Sequence, residues 1–392
     1  MTRFDLVIAG GTVIDAGSGV NDLRDVGIVD GRIAAIEPSL ATADAREAID
    51  ATGRYVVPGL VDLHVHVYPG VADLSVDADA TCLGRGVTTV VDGGSAGANT
   101  WPGFRRWVVD TARTRVLAFL NISLLGQVDT HLGELHDLRF ADPERAARVA
   151  VANPDRIVGF KVRLSGTLAG ENGLEGLRRA LWAGRATGLP VMAHIGGTPF
   201  DIESALALMG AGDIVTHSFT GWNPGGIVDD EGRVLPAARD ARARGVRFDI
   251  GHGGGSFSWA TAEAAIAEGF EPDTISTDLH RFNVAGPVGD LPETMSKLLH
   301  LGLPLERVIE AATSAPAASV GAAGRDLGRL VVGGPADVTV LGLQEAPRDL
   351  ADSLGATRTV TRHLVPTAVV RAGAAVPIRP RVTEPPAGIS PG

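Results

Sequence analysis

The chain is poor in cysteine, short of positive charge and without a long apolar run, and each lack narrows what it can be. Its one cysteine, Cys82, excludes an internal disulfide. Stability must then come from burial, and a reducing, cytoplasmic setting is expected. Cys82 lies in a mixed apolar stretch and is expected to be buried and inert. Acidic residues outnumber basic ones 46 to 35, giving a formal net charge of −11. Nucleic acid needs a basic footprint, so that partner is not expected. Uninterrupted apolar stretches fall short of the roughly 18 residues a membrane helix requires. The opening MTRFDLVIAGGTVID has no long apolar segment with a cleavage site, so no secretory leader is expected.

What is present fits a large globular enzyme. The chain has 392 residues, 45% of them hydrophobic, which suits one large core and a smaller one. Residues 4–57 read as short strands parted by turns. FDLVIAGGTVID breaks at Gly10-Gly11, and DVGIVDGRIAAIE breaks at Asp30-Gly31, a hairpin dipeptide. From Val56 to about Ala323 strand-like runs alternate with helical stretches. The runs are 56–66, 87–94, 115–123, 156–165, 190–196, 213–219, 247–253 and 273–280. Such alternation implies parallel strands covered by helices. Eight units in this length predict a closed (β/α)8, TIM-like barrel. An open doubly wound sheet is the competitor, weakened by the lack of a GxGxxG turn. RLVVGGPADVTVLGL and TAVVRAGAAV return to strand character. The predicted architecture is therefore α/β. Residues 58–325 form the barrel, and 1–57 with 326–378 form a small β-sandwich from both termini. Residues 379–392, rich in proline, are expected to be disordered.

The chemistry gathers at the ends of the strand runs. His64 and His66 are two apart on one strand and so share a face. Alone, such a pair is as often a set of satisfied histidines as a ligand pair. Lys161, His194, His217 and Asp278 close four further runs. In a barrel all parallel strands finish at one face, where active sites sit. Six groups from five strands then converge, which points to metal binding. Imidazole and carboxylate suit Zn2+ or another first-row divalent ion such as Mn2+. Lys161 has no lone pair as an ammonium. Reaction with CO2 would turn it into an anionic carbamate; pairing with Asp278 or with a substrate carboxylate is the alternative.

Nearby groups are candidates for substrate. His280 and Tyr68 share strand parity with Asp278 and His66, and either binds substrate or orients a ligand. Arg163, two beyond Lys161, is the nearest cation for a substrate carboxylate, or else an ion-pair partner. Asn121 ends the third run. His252 starts a glycine-rich loop whose amides are able to approach an anion closely, or which is simply a tight turn. Residues 124–143 and 218–236 are long for βα loops and are candidate lids. His131 and His136 are expected at the surface, and His300 and His363 away from the rim.

At GRYVVPGLVDLHVH (53–66), GFKVRLS (159–165), MAHIG, VTHSF, STDLH (276–280) and GGPADVTVL (333–341) the chain resembles the amidohydrolase superfamily over nearly its whole length. DIGHGGGSFSW and HVHVYPG are similar to its deacetylase-like metallohydrolases, a dihydroorotase-related branch. The resemblance implies a binuclear centre. One ion would take His64, His66 and Asp278, the other His194 and His217. Carboxylated Lys161 and a hydroxide would bridge them. On chemical grounds Asp278 is expected to be the catalytic proton shuttle as well as a ligand. The resemblance further implies deacylation of a small amide or ester, for which Arg163 suggests a carboxylate-bearing substrate. Ring opening of a cyclic amide is the alternative. Tyr68 stands where dihydroorotase-like members usually carry an arginine, which argues against that particular activity. A small-molecule substrate and self-association are expected; nucleic acid and membrane are not.

Overall fold

The structure is a computed structural model and describes residues 3–383. The N-terminal strands are β1 (Phe4–Asp15), β2 (Val20–Val29), β3 (Arg32–Glu37), β4 (Ala45–Asp50) and β5 (Tyr55–Pro58). β1 breaks register between Ile8 and Gly11, with Gly10 at a φ of +77°. The kink lets one edge of β1 hold two partners in succession. β4 pairs along Phe4–Ala9, and β5 pairs at Thr12–Val13, both parallel. At Gly11 a Cβ would stand 2.5 Å from the Val56 side chain, so this close approach needs glycine.

The barrel strands follow: β6 (Leu60–Val65), β7 (Val87–Asp92), β8 (Arg115–Asn121), β9 (Ile157–Arg163), β10 (Val191–His194), β11 (Ile214–Thr216) and β12 (Arg247–Asp249). They pair in parallel in chain order. Every residue of β6, β7 and β9 is buried, as expected of a parallel sheet covered on both faces. The eighth run, read as a strand from DTISTDLH, is not a regular strand. It is held at two points: Thr274 bridges Asp249, and Leu279 bridges Val65. Asp278 has a left-handed φ of +49°, which a ladder does not tolerate. These bridges nevertheless close the curled sheet into a TIM-barrel-like ring. The helix Gly173–Thr187 shows how the ring is covered. Its Leu177, Ala180 and Leu181 face inward at helical spacing, and Gly188 ends it in the left-handed region.

The C-terminal strands are β13 (Val338–Gln344), β14 (Arg348–Ala351), β15 (Thr357–Val360), β16 (His363–Arg371) and β17 (Ala374–Val376). β14 and β15 form a separate ribbon. The rest join the N-terminal strands in the order β17-β16-β13-β5-β1-β2-β3, with β4 on β1. These strands form one continuous hydrogen-bonded sheet built from both ends of the chain. Its core draws on both ends of the chain: Leu6, Ile8 and Val26 meet Val338, Val340 and Val370. Each such buried side chain contributes about 1.5–3 kcal/mol.

Residues 379–383, expected to belong to a disordered tail, lie against the barrel. The Arg379 N–H donates to Gly84 O, and Arg381 pairs with Glu293. The rest of that tail, 384–392, lies outside the described residues. Cys82 is buried, and burial pushes its thiol up to about 12. Among the described residues no helix is long and apolar enough to cross a membrane.

Candidate active site

The C-terminal ends of the barrel strands surround a cavity of about 380 Å³, with His64, His66, Lys161, His194 and Asp278 on its wall. Buried hydrogen bonds behind them fix which nitrogens face inward. The Asp249 carboxylate accepts from the hydroxyls of Thr216 (2.7 Å), Ser276 (2.7 Å) and Thr274 (2.6 Å). Thr216 has a single proton and gives it to Asp249, so its oxygen accepts from His64 Nδ1 at 3.0 Å. His64 Nε2 is therefore a bare lone pair. His217 Nδ1 donates to the Gly251 carbonyl at 2.6 Å. Its Nε2 is bare as well, buried, and without a hydrogen-bond partner among the described residues. His66 sets Nδ1 against the Ser95 hydroxyl at 3.0 Å and Nε2 against Asp278 Oδ1 at 2.9 Å.

Electrostatics keep these groups in donor form. Burial lowers His217 to about 4. His64 is held well below its ordinary value by burial and then by Lys161. His194 is likewise lowered, by burial and by His217, whose ring lies 4.2 Å away. Burial pushes the Asp278 carboxyl up, but His64 and His66 outweigh it and hold the group well below the usual carboxylate range. The Lys161 Nζ, fully buried, sits 2.8 Å from His64 Nε2 and 3.4 Å from Met192 Sδ. Burial brings it down to about 7, against the pull of Asp278. An amine near neutrality carries a nucleophilic lone pair, which is the form that combines with CO2.

Ligand atoms of His64, His217 and Asp278 lie within 4.8 Å of one another. Bare imidazole nitrogens and a carboxylate this close, one of them orphaned in the interior, fit a divalent cation. The buried Lys161 amine beside them, brought down to about 7, fits a carbamate.

Of the five residues expected to touch substrate, two line the cavity. Phe282 N–H donates to His280 Nδ1 at 3.2 Å, and burial lowers His280 to about 4. The neutral ring thus keeps its proton on Nε2. Arg163 lies on the same wall and pairs with Glu134 at 3.2 Å. The other three do not line the cavity. Tyr68 packs on Phe104, and its hydroxyl donates to Thr100 O at 3.2 Å. Asn121 donates to Gly94 O and to Glu134. His252 stacks on Phe257 and meets Lys297 Nζ at 2.7 Å. Strand parity, a strand end and a glycine-rich loop put Tyr68, Asn121 and His252 near the rim, but neighbouring groups occupy their polar atoms. His131, His136 and His300 are exposed, and His363 bonds Gln344 on β13.

Sequence reasoning missed Thr216, Asp249, Ser95, Glu134 and Gln127. The first two had a signal. Thr216 precedes His217, and Thr274 and Ser276 share parity on one run, a set of hydroxyls around one buried carboxylate. Glu134 and Gln127 lie in the long loop 124–143, where no periodicity marks a side chain's direction.

Residues 55–376 match the amidohydrolase family. The chain belongs to that family and is a hydrolase acting on amide bonds. A deacetylase of Agrobacterium fabrum is 40% identical over 338 residues, covering 86% of this chain and 82% of the relative. A solved structure of a dihydroorotase aligns with a TM-score of 0.90 at 36% identity, over 97% of this chain and 99% of that one. An adenine deaminase structure aligns with a TM-score of 0.88 at 34% identity, over 95% and 100%.

Proposed function

We propose that the chain is a divalent-metal-dependent deacylase that removes an acyl group, such as acetyl, from a small carboxylate-bearing amide or ester. The observation that carries this reading is the pair of bare, inward-facing Nε2 atoms on His64 and His217 beside the Asp278 carboxylate. The likeness to the Agrobacterium deacetylase supports the acyl group.

His64, His66, His194, His217 and Asp278, with Lys161 once carboxylated, would hold Zn2+ or Mn2+, which would supply a water of lowered pKa and a Lewis acid for the carbonyl. Thr216 and the Gly251 carbonyl lock the ring tautomers that make this possible. The Asp278 carboxylate takes the proton of the attacking water and passes it to the leaving nitrogen or oxygen. His280, protonated on Nε2, donates a hydrogen bond to the oxygen that gains charge. Arg163 holds the substrate carboxylate.

The likeness to a dihydroorotase structure favours a second reading, ring opening of a cyclic amide. Metal analysis, with a panel of N-acyl amino acids, acetylated hydroxy acids and cyclic amides on zinc- or manganese-loaded protein, separates them. Deacylation with about two ions per chain supports the first reading. Faster ring opening supports the second, and no hydrolysis of either class overturns both.

A further inference from the structure

The mechanism leaves one buried charge unused. Lys297, on the helix Leu291–His300, is fully buried. Burial brings its amine down only to about 8, so at pH 7 it is chiefly an ammonium. An ammonium has three protons and no lone pair. Three acceptors meet them: Pro287 O at 2.9 Å, Ala351 O at 2.7 Å and His252 Nε2 at 2.7 Å. Burial, and then Lys297 itself, hold the His252 ring well below its ordinary value. The ring is therefore neutral. Because Nε2 accepts, its one proton sits on Nδ1 and is given to Gly253 O at 3.0 Å. An apolar side chain in place of Lys297 would avoid the cost of burying charge; what the ammonium adds is direction, since three N–H bonds fix the ring in one place.

His252 in turn heads the glycine loop, and that loop lies along the run that ends in Asp278. Gly251 N–H donates to Ser276 Oγ at 3.1 Å. His252 N–H donates to Ser276 O at 3.2 Å and Gly253 N–H to Thr277 O at 2.9 Å. Gly253 has a φ of +58°, and a Cβ there would stand 2.7 Å from Asp278 Oδ2. Glycine lets the loop come this near the carboxylate. Asp278 sits at a left-handed φ of +49°, which a residue with a side chain keeps only where its surroundings enforce it. The loop anchored by His252 is one such surrounding, and its next residues, Gly254, Gly255 and Ser256, line the cavity.

We propose that Lys297 is a positioning residue: through His252 it holds the glycine loop against Asp278 and keeps that carboxylate aimed into the cavity. This rests on the deacylase reading for the role of Asp278, while the tie itself is read without turnover. Lys297→Met removes the three donors from a side chain of similar length. His252→Leu breaks the same tie from the other side, and serves if the first variant does not fold. Each is expected to lower kcat about tenfold or more on the substrate the panel selects, with KM little changed. His252→Gln sets an amide oxygen where Nε2 stood and should recover most of the loss seen in His252→Leu. Hydrogen exchange read by mass spectrometry follows the loop directly. Amides of residues 251–258 are expected to exchange about tenfold faster in Lys297→Met and His252→Leu, with strands β6–β9 unchanged. A loosened loop in these variants, with no panel compound hydrolysed by the wild type, would sink the deacylase reading and leave the tie standing. Loop exchange that neither substitution moves, or acceleration spread evenly over the barrel, overturns the proposal. So does an unchanged kcat in a protein whose loop has loosened, or a His252→Gln protein no better than His252→Leu.

Discussion

Thr216 decides which nitrogen of His64 faces the cavity, because its single proton is committed to Asp249. Thr216→Val keeps the shape and removes the acceptor behind Nδ1. The ring then loses its tautomer lock, and metal affinity is expected to fall about 10–100-fold. Competition with a chromophoric chelator measures this, and unchanged affinity would refute the lock. Asp278→Asn removes the proton carrier with little change of volume. Turnover is expected to fall about a hundredfold or more, while most of the metal stays bound; retained kcat would free Asp278 of its role. Parity along a strand was enough to mark His64 and His66, which stand two apart at the end of β6 and face the cavity. Parity was not enough for Tyr68, nor was a strand end for Asn121 or a glycine loop for His252. Parity gives a direction, but the neighbour waiting in that direction comes from elsewhere in the chain: Thr100, Glu134 and Lys297.

Among the elements, the helix Leu291–His300 shows how much charge lies under the site. Asp290 caps it, its side chain accepting from the Glu293 N–H at 2.8 Å and ion-pairing with Arg85. Lys297 Nζ is fully buried and reaches His252, Pro287 O and Ala351 O. Burial pushes the Lys297 ammonium from 10.5 down to about 8, with Glu293 and Asp352 opposing and Arg381 and Arg348 adding. Below about pH 8 folded and unfolded chains both carry the proton, and the fold bears the whole cost of the buried charge. Between there and 10.5 the unfolded chain holds more proton, so stability rises with pH. The difference in stability between wild type and Lys297→Met should therefore move in favour of wild type from pH 8 to pH 10.5, followed by urea unfolding. A flat difference would show that folding leaves the lysine at its ordinary pKa. The alternation of strand and helix was legible from Val56 onward because parallel strands buried on both faces read as apolar runs, however short. The eighth run misled because its apolar residues repeat like a strand, while the left-handed Asp278 is fixed by the carbonyl of His64 and by Asn283.

Across the molecule, the C-terminal segment ties three parts together. Arg381 shares Glu293 with Arg348 of β14, and the Arg379 carbonyl accepts from Arg85 at 2.9 Å. Arg381→Ala leaves Glu293 with one cation, and a loss of about 1 kcal/mol is expected from equilibrium unfolding. Removal of metal acts on the whole fold by mass action. At ion levels a thousandfold above the dissociation constant, the loaded protein gains about 4 kcal/mol. Dialysis against a chelator should therefore lower Tm, and Zn2+ or Mn2+ should restore it. A Tm indifferent to chelation would argue against a metal centre built from these histidines.

β5 finds its second neighbour only in β13, made after the entire barrel has been synthesised. Until Val338–Leu341 leaves the ribosome, the edge at Tyr55–Pro58 stands open in the nascent chain, a template for pairing with any other growing polypeptide. Products that stop short of Val338 should collect in the insoluble fraction of a translation reaction, and those extended through Val376 should stay in solution.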